Sequence, residues 1–456
     1  MRFKILILTI LYTFVLSYAN PLKEEIESLI KDQDVAVGIY VESLATKSFK
    51  YILNEKMPFI PASNQKILTT ATAIINLTPD YRFKTTVLTD GFIKDGVLKG
   101  NLYLKGGADP SLSEGDLKSF ADYLKQLGIS KIEGNIIGDD SFFSEEGRGH
   151  GWPEKDFDYC FTAPFSALSV NENCLRLEIL SDKKNTVIKM YPDNDYFEIV
   201  NNLELSKKYS DYKVKVEGRK IYLFGKIKPL SKVEVSIPVE NPSLFTTSVL
   251  YKVIKQSGIK ITGKYYIGKT PSNTTVIITH KSQPLKEIIK KANKDSNNFY
   301  AEQIFRTLGK EILGKGDTET SATVVINTLK RAGIDVSNIR IYDGSGLSRF
   351  NQITPESISK ILSYMYNTPY FFDFYQSLAV AGTDGTLKHR FKDVKGKIYA
   401  KTGYIKGVKN LSGYILSDNG EVYVFSILVN NLKSTEIANK IQESICLILA
   451  NGKTQL

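Results

Sequence analysis

The stretch that decides the fold reads PASNQKILTTATAII and occupies residues 61–75. Its apolar side chains at positions 67, 71, 74 and 75 recur at helical spacing, and no charged residue follows Lys66 within it. This pattern predicts a helix that is buried on most sides and begins close to Ser63. Residues three positions apart share one face of a helix, so we expect Ser63 and Lys66 to be neighbours.

The serine at position 63 has two interpretations. It can cap the N-terminus of the helix, which is a common role for serine, or it can be a nucleophile whose base is Lys66. The serines at 181, 210 and 257 also precede a lysine by three residues, but they lie in a polar turn, at the start of an alternating strand and at a helix end. Only Ser63 opens a strongly apolar helix, so it is the candidate nucleophile.

Two further short motifs follow Ser63-Asn64-Gln65-Lys66 along the chain, Ser296-Asn297-Asn298 and Lys401-Thr402-Gly403. Together the three match the Ser-x-x-Lys, Ser-x-Asn and Lys-Thr-Gly set of penicillin-recognising serine enzymes. Lys-Thr-Gly occurs once, and we predict that it ends a strand over 397–401. A glycine at a sheet edge lets a substrate backbone approach closely. The alternative is an ordinary strand end with a solvated lysine.

These residue types together supply what an acyl transfer to serine needs. Ser63 is a poor nucleophile at neutral pH, so Lys66 has to take its proton, which only a neutral lysine can do. We expect burial and the nearby cation of Lys401 to lower the pKa of Lys66. Ser296 can relay the proton onward to the leaving amine of the substrate.

The remaining motif residues are expected to hold the substrate. Asn298 can bind a substrate amide, and Lys401 with Thr402 would grip a carboxylate. A tetrahedral oxyanion needs two backbone N–H donors. We predict that Ser63, at the helix start, and Tyr404, just after the glycine, provide them.

The pattern of apolar and turn-forming residues in the middle of the chain differs from the pattern at its two ends. Between residues 81 and 268, short β-branched and aromatic runs alternate with Asp-Gly, Gly-Gly and Asn-Asp turns, which predicts hairpins and small sheets with few helices besides one over 246–256. Helical spacing returns after Thr279, and strands with a last helix over 435–449 close the chain. We predict a catalytic domain built from both ends, 20–80 and 281–456, around a β-rich insertion, 81–280.

With these motifs the chain resembles the D-alanyl-D-alanine carboxypeptidase/endopeptidase family, the class C low-molecular-mass penicillin-binding proteins. The separation of 233 positions from Ser63 to Ser296 favours this family, because simpler carboxypeptidases and serine β-lactamases of related fold have far fewer residues there. Other stretches that look like family signatures cover nearly all of the mature chain: GGADP at 106–110, GWP at 151–153, Cys160 with Ala163-Pro164 and Cys174, DGSGLS at 343–348 and AGTDGTL at 381–387.

The resemblance implies an α/β (α+β) fold, a penicillin-binding/serine β-lactamase-like transpeptidase domain with a large β-rich inserted region. It also implies a serine hydrolase that cleaves D-Ala-D-Ala, and D-Ala-diamino acid cross-links, in peptidoglycan stem peptides, with β-lactam antibiotics as inhibitors. The matching positions are Ser63 and Lys66 for acylation, Ser296 and Asn298 for the second motif, and Lys401, Thr402 and Gly403 for the third.

Two positions carry expectations about substrate selection. The residue after the glycine varies in such enzymes, and the bulky Tyr404 is expected to narrow or redirect the substrate groove. Asp156 resembles an acid of the inserted domain that meets the free amine of a diamino acid. The alternative is a solvated loop aspartate, because Asp158 is close by and Glu154-Lys155 departs from the aromatic-rich form of that stretch.

Two other functions are compatible with the motifs. A serine β-lactamase adds fast deacylation, which commonly uses a Glu-x-x-Leu-Asn loop, and the sequence contains none. A non-catalytic wall-binding protein of the same fold is the other alternative. The three intact motifs argue against it, because drift would erase Lys66 or Ser296 early.

The start of the chain predicts export. An apolar run over 5–16 follows Arg2 and Lys4, and small residues precede Asn20 at the positions that a signal peptidase reads, so residues 1–19 are a candidate signal peptide. An uncleaved anchor is the alternative, but the run is shorter than the roughly 20 residues that span a bilayer. We expect a protein of the periplasm, or otherwise outside the cytoplasmic membrane, with at most peripheral membrane contact.

Composition narrows the possible partners. The hydrophobic fraction of 42% and the charged fraction of 24% are ordinary for a globular protein. The net charge of +11 favours anionic surroundings, but the lysines are scattered. An envelope-facing surface is therefore favoured and no nucleic acid is expected. The three histidines stand apart, so no metal and no cofactor are expected. The sequence does not indicate the oligomeric state.

The three cysteines are expected to differ in role. After export, Cys160 and Cys174 can pair in a disulfide that contributes roughly 3 kcal/mol. The alternative is a pair of buried thiols. Cys446 follows isoleucines at 437, 441 and 445 on one helical face, so we predict a buried, apolar side chain.

Overall fold

A computed structural model describes residues 21–31, 34–145 and 147–452. The predicted signal peptide, residues 1–19, lies outside the described residues. Within the described ranges, each helix is too short or too polar to cross a lipid bilayer.

The elements are numbered in chain order. The α-helices of the described residues are α1 (Pro21–Ile30), α2 (Gln65–Leu77), α3 (Glu114–Gln126), α4 (Pro242–Gln256), α5 (Leu285–Lys294), α6 (Asn298–Leu313), α7 (Thr318–Arg331), α8 (Pro355–Tyr366), α9 (Phe371–Ser377) and α10 (Glu436–Ala450). The strands are β1 (Ala36–Ser43), β2 (Phe49–Leu53), β3 (Lys84–Thr89), β4 (Phe92–Lys94), β5 (Val97–Lys99), β6 (Leu102–Lys105), β7 (Lys131–Glu133), β8 (Ile136–Asp139), β9 (Cys174–Ser181), β10 (Thr186–Tyr191), β11 (Glu198–Leu205), β12 (Asp211–Glu217), β13 (Lys220–Ile227), β14 (Lys232–Pro238), β15 (Lys260–Ile261), β16 (Tyr265–Ile267), β17 (Thr275–Lys281), β18 (Ala379–Val380), β19 (Ile398–Ile405), β20 (Val408–Leu416) and β21 (Val422–Asn430).

The largest sheet has six antiparallel strands and joins the two ends of the chain. Its strand order is β18-β19-β20-β21-β1-β2. β1 pairs along its whole length with β21, from Ala36 opposite Asn430 to Ser43 opposite Tyr423. The strands of its centre are apolar almost throughout because helices cover both faces. α1 and α10 pack on one face, and α2 and α8 on the other.

This helix–sheet–helix arrangement confirms the predicted α/β (α+β) fold. The two hydrophobic clusters of the arrangement lie on opposite faces of the same sheet. One contains α2 and α5 to α8, and the other contains α1 and α10. α2, which follows Ser63, belongs to the first cluster, and its first ten residues are all buried. Ser63, the candidate nucleophile, therefore lies just before a helix whose N-terminal part is fully buried.

The middle of the chain folds into smaller sheets, as its short β-branched and aromatic runs predicted. These have the strand orders β15-β7-β5-β4, β16-β8-β6-β3-β17, β10-β9-β14 and β11-β13-β12. The first and last strands of this region, β3 and β17, pair with each other, with Lys84 opposite Lys281. The chain therefore leaves and returns at neighbouring points. We propose domain boundaries near residues 80 and 280 on this basis.

Of the two α-helices described in this region, α4 was predicted with a later start and α3 was not predicted. The buried face of α3 is formed by Leu117, Phe120, Ala121 and Leu124. Its start is fixed by Ser113, whose side chain accepts from the backbone N–H of Asp116 in a capping box. α4 starts four residues earlier than predicted, because Asn241 caps it and Pro242 occupies its first turn.

The cysteines are placed as predicted. Cys160 and Cys174 form a disulfide with their Cα atoms 5.7 Å apart. Cys446 is a free thiol that is fully buried on α10. The disulfide ties the 3-10 turn over 160–162 to the start of β9, and Phe161 of this turn lines the cavity that contains Ser63.

Candidate active site

Ser63 lies in a 3-10 turn, Ala62–Asn64, that leads directly into α2. The amide of Asn64 anchors this turn to the large sheet. Its Nδ2 donates to the carbonyl of Lys401 on β19 at 3.0 Å, and its Oδ1 accepts from Ser412 Oγ on β20 at 2.6 Å. The serine is therefore fixed against the strand that carries the third motif.

The ammonium of Lys66 is enclosed by three acceptors. Its Nζ donates to Ser63 Oγ at 3.1 Å, to Asn298 Oδ1 at 2.7 Å and to the carbonyl of Ser345 at 2.7 Å. The whole side chain is buried. Burial lowers the pKa of Lys66 to about 7, against the opposing carboxylates of Asp343 and Glu302. A large neutral fraction at neutral pH is what a base for Ser63 requires.

The second motif sits in the loop between α5 and α6. Ser296 has a left-handed backbone with φ of 57°, and Asn297 caps α6 by accepting from the N–H of Tyr300. Asn298 is the first residue of α6, and its Nδ2 donates to the carbonyl of Phe161 at 2.9 Å. The amide of Asn298 therefore links Lys66 to the disulfide-tied turn of the insertion.

The third motif lies in the middle of a strand, which corrects the predicted strand end at Lys401. β19 continues through Lys401-Thr402-Gly403 to Ile405 before it turns into β20. Pairing with Asn410 and Lys409 on β20 keeps the strand extended past the glycine. A Cβ at Gly403 would lie 2.8 Å from the carbonyl oxygen of Pro61 and 3.2 Å from Ser63 N. Glycine is needed here because the strand passes directly over the serine turn.

Lys401 is fully buried behind this strand. Its Nζ donates to Ser296 Oγ at 2.8 Å and to the carbonyl of Thr402 at 2.9 Å. Burial and then the charge of Lys66 hold the pKa of Lys401 well below its ordinary value. The predicted lowering of the pKa of Lys66 by burial is therefore confirmed, and the charge of Lys66 lowers the pKa of Lys401, whereas an effect of Lys401 on the pKa of Lys66 stays a prediction.

A cavity of about 440 Å³ opens in front of these groups. It brings together Ser63, Ser296, Asn298, Tyr404 and Asp156. Tyr404 is 64% exposed at its rim. Its other lining residues are Pro153, Lys155, Phe161, Gly346, Leu347, Arg349, Ile405 and Lys406. A larger cavity of about 530 Å³, between β12 and β14, contains none of the motif residues.

Two buried carboxylates behind Lys66 were missed by the sequence analysis. Glu302 accepts from the N–H groups of Gly344 and Ser345, at 3.0 and 2.8 Å. It also forms an ion pair with Arg306, one turn further along α6. Burial, and then the charge of Asp343, raises the pKa of Glu302, which Arg306 opposes. Glu302 follows Asn298 by four residues, so helical spacing was the signal that could have placed it beside the motif.

Asp343 organises the loop that supplies the Ser345 carbonyl. It accepts from the N–H groups of Gly346 and Ser348, at 2.8 and 2.7 Å, and from Trp152 Nε1 at 2.9 Å. Asn351 Nδ2 donates at 2.7 Å to Oδ1, the oxygen that also accepts from Gly346, while Ser348 and Trp152 donate to Oδ2. Trp152 comes from the insertion, so this carboxylate joins the insertion to the base of the site.

A strained turn of the insertion also reaches the second motif. Asn171, Glu172 and Asn173 have φ of 49°, 58° and 55°, which is costly for residues other than glycine. Glu172 accepts from Asn297 Nδ2 at 2.7 Å. It also pairs with Lys291 at 3.1 Å. No sequence pattern indicated this contact, because it joins segments that are 125 residues apart.

No group of three or more metal-ligating side chains occurs among the described residues. A buried lysine of lowered pKa beside a serine hydroxyl suits nucleophilic catalysis.

Comparison with known families decides the identity. The family model described as "D-Ala-D-Ala carboxypeptidase 3 (S13) family" matches residues 22–452. The chain belongs to the S13 family. Its match spans the catalytic sheet, all three motifs and the insertion, so the resemblance inferred from the motifs is confirmed.

Two relatives match this chain over most of their own length. The D-alanyl-D-alanine carboxypeptidase DacB of Haemophilus influenzae is 28% identical over 89% of this chain and 87% of its own. The D-alanyl-D-alanine carboxypeptidase of Actinomadura sp. (strain R39) is 27% identical over 94% and 84%. The similarity therefore extends over most of each relative and is not confined to a fragment.

Solved structures agree with the S13 assignment. Penicillin binding protein 4 (dacB) from Haemophilus influenzae superposes with a TM-score of 0.81 at 26% identity, over 93% of this chain and 99% of that one. Bd3459, a predatory peptidoglycan endopeptidase from Bdellovibrio bacteriovorus, gives a TM-score of 0.54 at 18% identity, over 91% and 92%. The latter likeness concerns the fold alone.

Proposed function

We propose that this S13 protein hydrolyses D-alanyl-D-alanine in peptidoglycan stem peptides through an acyl-enzyme on Ser63. It is a serine D-Ala-D-Ala carboxypeptidase. The observation that carries the catalytic assignment is the contact of 3.1 Å between Lys66 Nζ and Ser63 Oγ, made by a fully buried lysine whose pKa is near 7. A serine that only capped α2 would not need such a partner.

Acylation follows from these contacts. Lys66 takes the proton of Ser63 Oγ, which attacks the carbonyl carbon of the penultimate D-alanine. The tetrahedral oxyanion is placed to accept from the backbone N–H groups of Ser63 and Tyr404. Gly403 allows this arrangement because it brings β19 within contact of the serine turn.

Departure of the leaving group needs a proton on the amine. Ser296 Oγ accepts a hydrogen bond from Lys401 Nζ at 2.8 Å. Ser296 and Ser63 line the same cavity. We assign Ser296 the relay that carries the proton from Lys66 to the amine, with Lys401 orienting its hydroxyl. Water then attacks the ester of Ser63, and the proton returns to the serine by the reverse route.

The edge of β19 is suited to hold an extended substrate. Its neighbour β18 is two residues long and pairs only with Tyr399 and Ala400. From Lys401 onward, β19 pairs with β20 along one edge. The last two residues of β19, Tyr404 and Ile405, line the cavity. A stem peptide can add to this edge as a further strand, which fixes the scissile bond over Ser63.

Cleavage of cross-links is the second activity that the cavity supports. Asp156 lies in the 3-10 turn Glu154–Asp156 and lines the same cavity as Ser63. We propose that it meets the free amine of a diamino acid in the substrate, which would favour cross-linked as well as terminal D-Ala bonds. The space of about 440 Å³ accommodates such a side chain.

β-Lactams are expected to acylate Ser63. Penicillin binding protein 4 from Haemophilus influenzae has been solved in complex with a β-lactam, which supports this proposal. The β-lactamase and wall-binding alternatives are not favoured, because the matched family and the named relatives are carboxypeptidases. Export to the compartment of the cell wall remains a proposal that rests on residues 1–19.

We expect the activity to rise with pH through a midpoint of about 7. The base has to be neutral, and Lys66 is neutral above its pKa, so kcat/KM should fall about tenfold per unit as the pH drops below that value. The measurement is release of D-alanine from a stem pentapeptide at low substrate concentration, between about pH 5 and 9. A flat profile over this range would argue against Lys66 as the base.

Benzylpenicillin tests the proposed function directly. The protein from Asn20 onward is incubated with the drug and its intact mass is followed over hours. We expect a persistent penicilloyl adduct, and proteolysis should locate it on the peptide that contains Ser63. Rapid turnover of the drug without an adduct would favour a β-lactamase, and no reaction in a folded protein would favour a binding role.

A further inference from the structure

Two threonine hydroxyls meet at the exposed side of the third motif. Thr402 Oγ1 on β19 donates to Thr386 Oγ1 at 2.8 Å. Thr386 is exposed, and it lies in the segment before β19, outside the strand that carries the Lys-Thr-Gly motif. A pair of hydroxyl groups therefore lies at the third motif, two residues before Tyr404, which lines the cavity, and sequence analysis assigned only one of the two.

The buried lysine of the motif does not occupy this position. Lys401 is 0% exposed, and its Nζ contacts are the hydroxyl of Ser296 and the carbonyl of Thr402. Tyr404 shares the Thr402 face of the strand, but its hydroxyl lies at the end of a long side chain that is 64% exposed. Thr402 and Thr386 each carry a short hydroxyl donor at this face.

The loop of Thr386 is built to hold it there. Thr386 is in the 3-10 turn Gly385–Leu387. Gly385 has φ of 54°, and a Cβ on it would lie 2.6 Å from the carbonyl oxygen of Lys294, so the turn packs tightly against the end of α5. Asp384 anchors the turn by accepting from the N–H of Val380 and by pairing with Lys294.

We propose that Thr386 is a specificity-determining residue that binds, together with Thr402, the carboxylate next to the scissile bond. The inference rests on the proposed function, in which the bond cleaved precedes a residue with a free carboxylate. A carboxylate accepts several hydrogen bonds, and each threonine has one O–H to give. On binding, the bond between the two threonines is exchanged for one bond from each hydroxyl to the anion, and the anion makes both bonds stronger.

Thr386→Val tests this assignment, because valine keeps the branched shape and removes only the donor. The substrates are a peptide that ends in D-Ala-D-Ala and the same peptide with a C-terminal amide. A hydrogen bond to a charged group corresponds to about 10- to 100-fold in binding. We expect kcat/KM for the free acid to fall by about that factor, while kcat/KM for the amide changes less than about threefold.

A matched control lies in the same loop. Thr383 is exposed and its hydroxyl donates to the carbonyl of Ala381, so Thr383→Val should preserve the preference for the free acid. Melting temperatures of both variants report on folding. Equal losses for acid and amide, or no loss for either, would overturn the role of Thr386.

A second pair of reagents separates this inference from the proposed function. Acylation rates with benzylpenicillin and with its methyl ester make the same comparison without peptide hydrolysis. We expect Thr386→Val to slow acylation by the acid selectively. A wild-type protein that reacts with no substrate and no β-lactam would refute the proposed function. A reactive wild type, with unchanged selectivity in Thr386→Val, would refute only the inference.

Discussion

Replacing Lys66 with methionine is expected to slow the acylation of Ser63 by about 10²- to 10⁴-fold, the usual contribution of a general base. Methionine is unbranched and apolar, so it suits the buried channel that Lys66 occupies. The variant removes the amine that lies 3.1 Å from Ser63 Oγ while leaving the hydroxyl in place. The rate of penicilloyl adduct formation, followed by intact mass, measures the loss.

Two control variants define the lowest and the highest acylation rates expected in this experiment. Ser63→Ala gives the floor, because it has no hydroxyl to acylate. Lys56→Met changes an exposed lysine in the same way and should react at the wild-type rate. Since Asn298 and Ser345 also lose a hydrogen bond in Lys66→Met, circular dichroism and the melting temperature have to show a folded protein. A folded Lys66→Met that reacts within about tenfold of wild type would exclude the lysine as the base.

Arg306→Met is expected to lower the free energy of unfolding by about 3–5 kcal/mol, the usual result of removing one partner from a buried ion pair. Arg306 and Glu302 are both buried, and the guanidinium lies over the ring of Phe165 at 3.2 Å. Without it, the Glu302 carboxylate is left without its counter-charge close to Asp343. Chemical denaturation, monitored by fluorescence, gives the change.

A double variant tests whether the charge is the cause. In Glu302→Gln/Arg306→Met neither charge remains, and the glutamine oxygen can still accept from Gly344 and Ser345. We expect it to recover part of the loss. Lys310→Met, a cation on the same helix that is only partly buried, should cost less than about 1 kcal/mol. An Arg306→Met protein as stable as wild type would show that the ion pair contributes little.

Local features of the site could be predicted because they depend on short-range geometry. Ser63 and Lys66 are neighbours because three residues separate them at the start of one helix. The cysteine pair and the buried Cys446 also followed from spacing and compartment. The fold class followed from apolar runs at both ends of the chain, which the paired β1 and β21 explain.

Other features depend on contacts between distant segments, which spacing along the chain does not reveal. The end of β19 was placed at Lys401 because Thr402 and Gly403 interrupt the apolar run, whereas pairing with β20 carries the strand to Ile405. Asp343 and Trp152 meet across 191 residues. The capping box of α3 was a local signal that the surrounding turn residues obscured.

The pairing of β1 with β21 constrains the order in which the protein can mature. Ser63 leaves the ribosome more than 300 residues before Lys401. β1 can pair at once with β2, but its neighbour on the other side, β21, is complete only when Val422–Asn430 has been made. Closing so long a separation is a slow, late event in folding. An incomplete chain therefore has its nucleophile but not the lysine and strand edge that would complete the site. For a hydrolase of the cell wall, this order delays its activity until synthesis is almost finished.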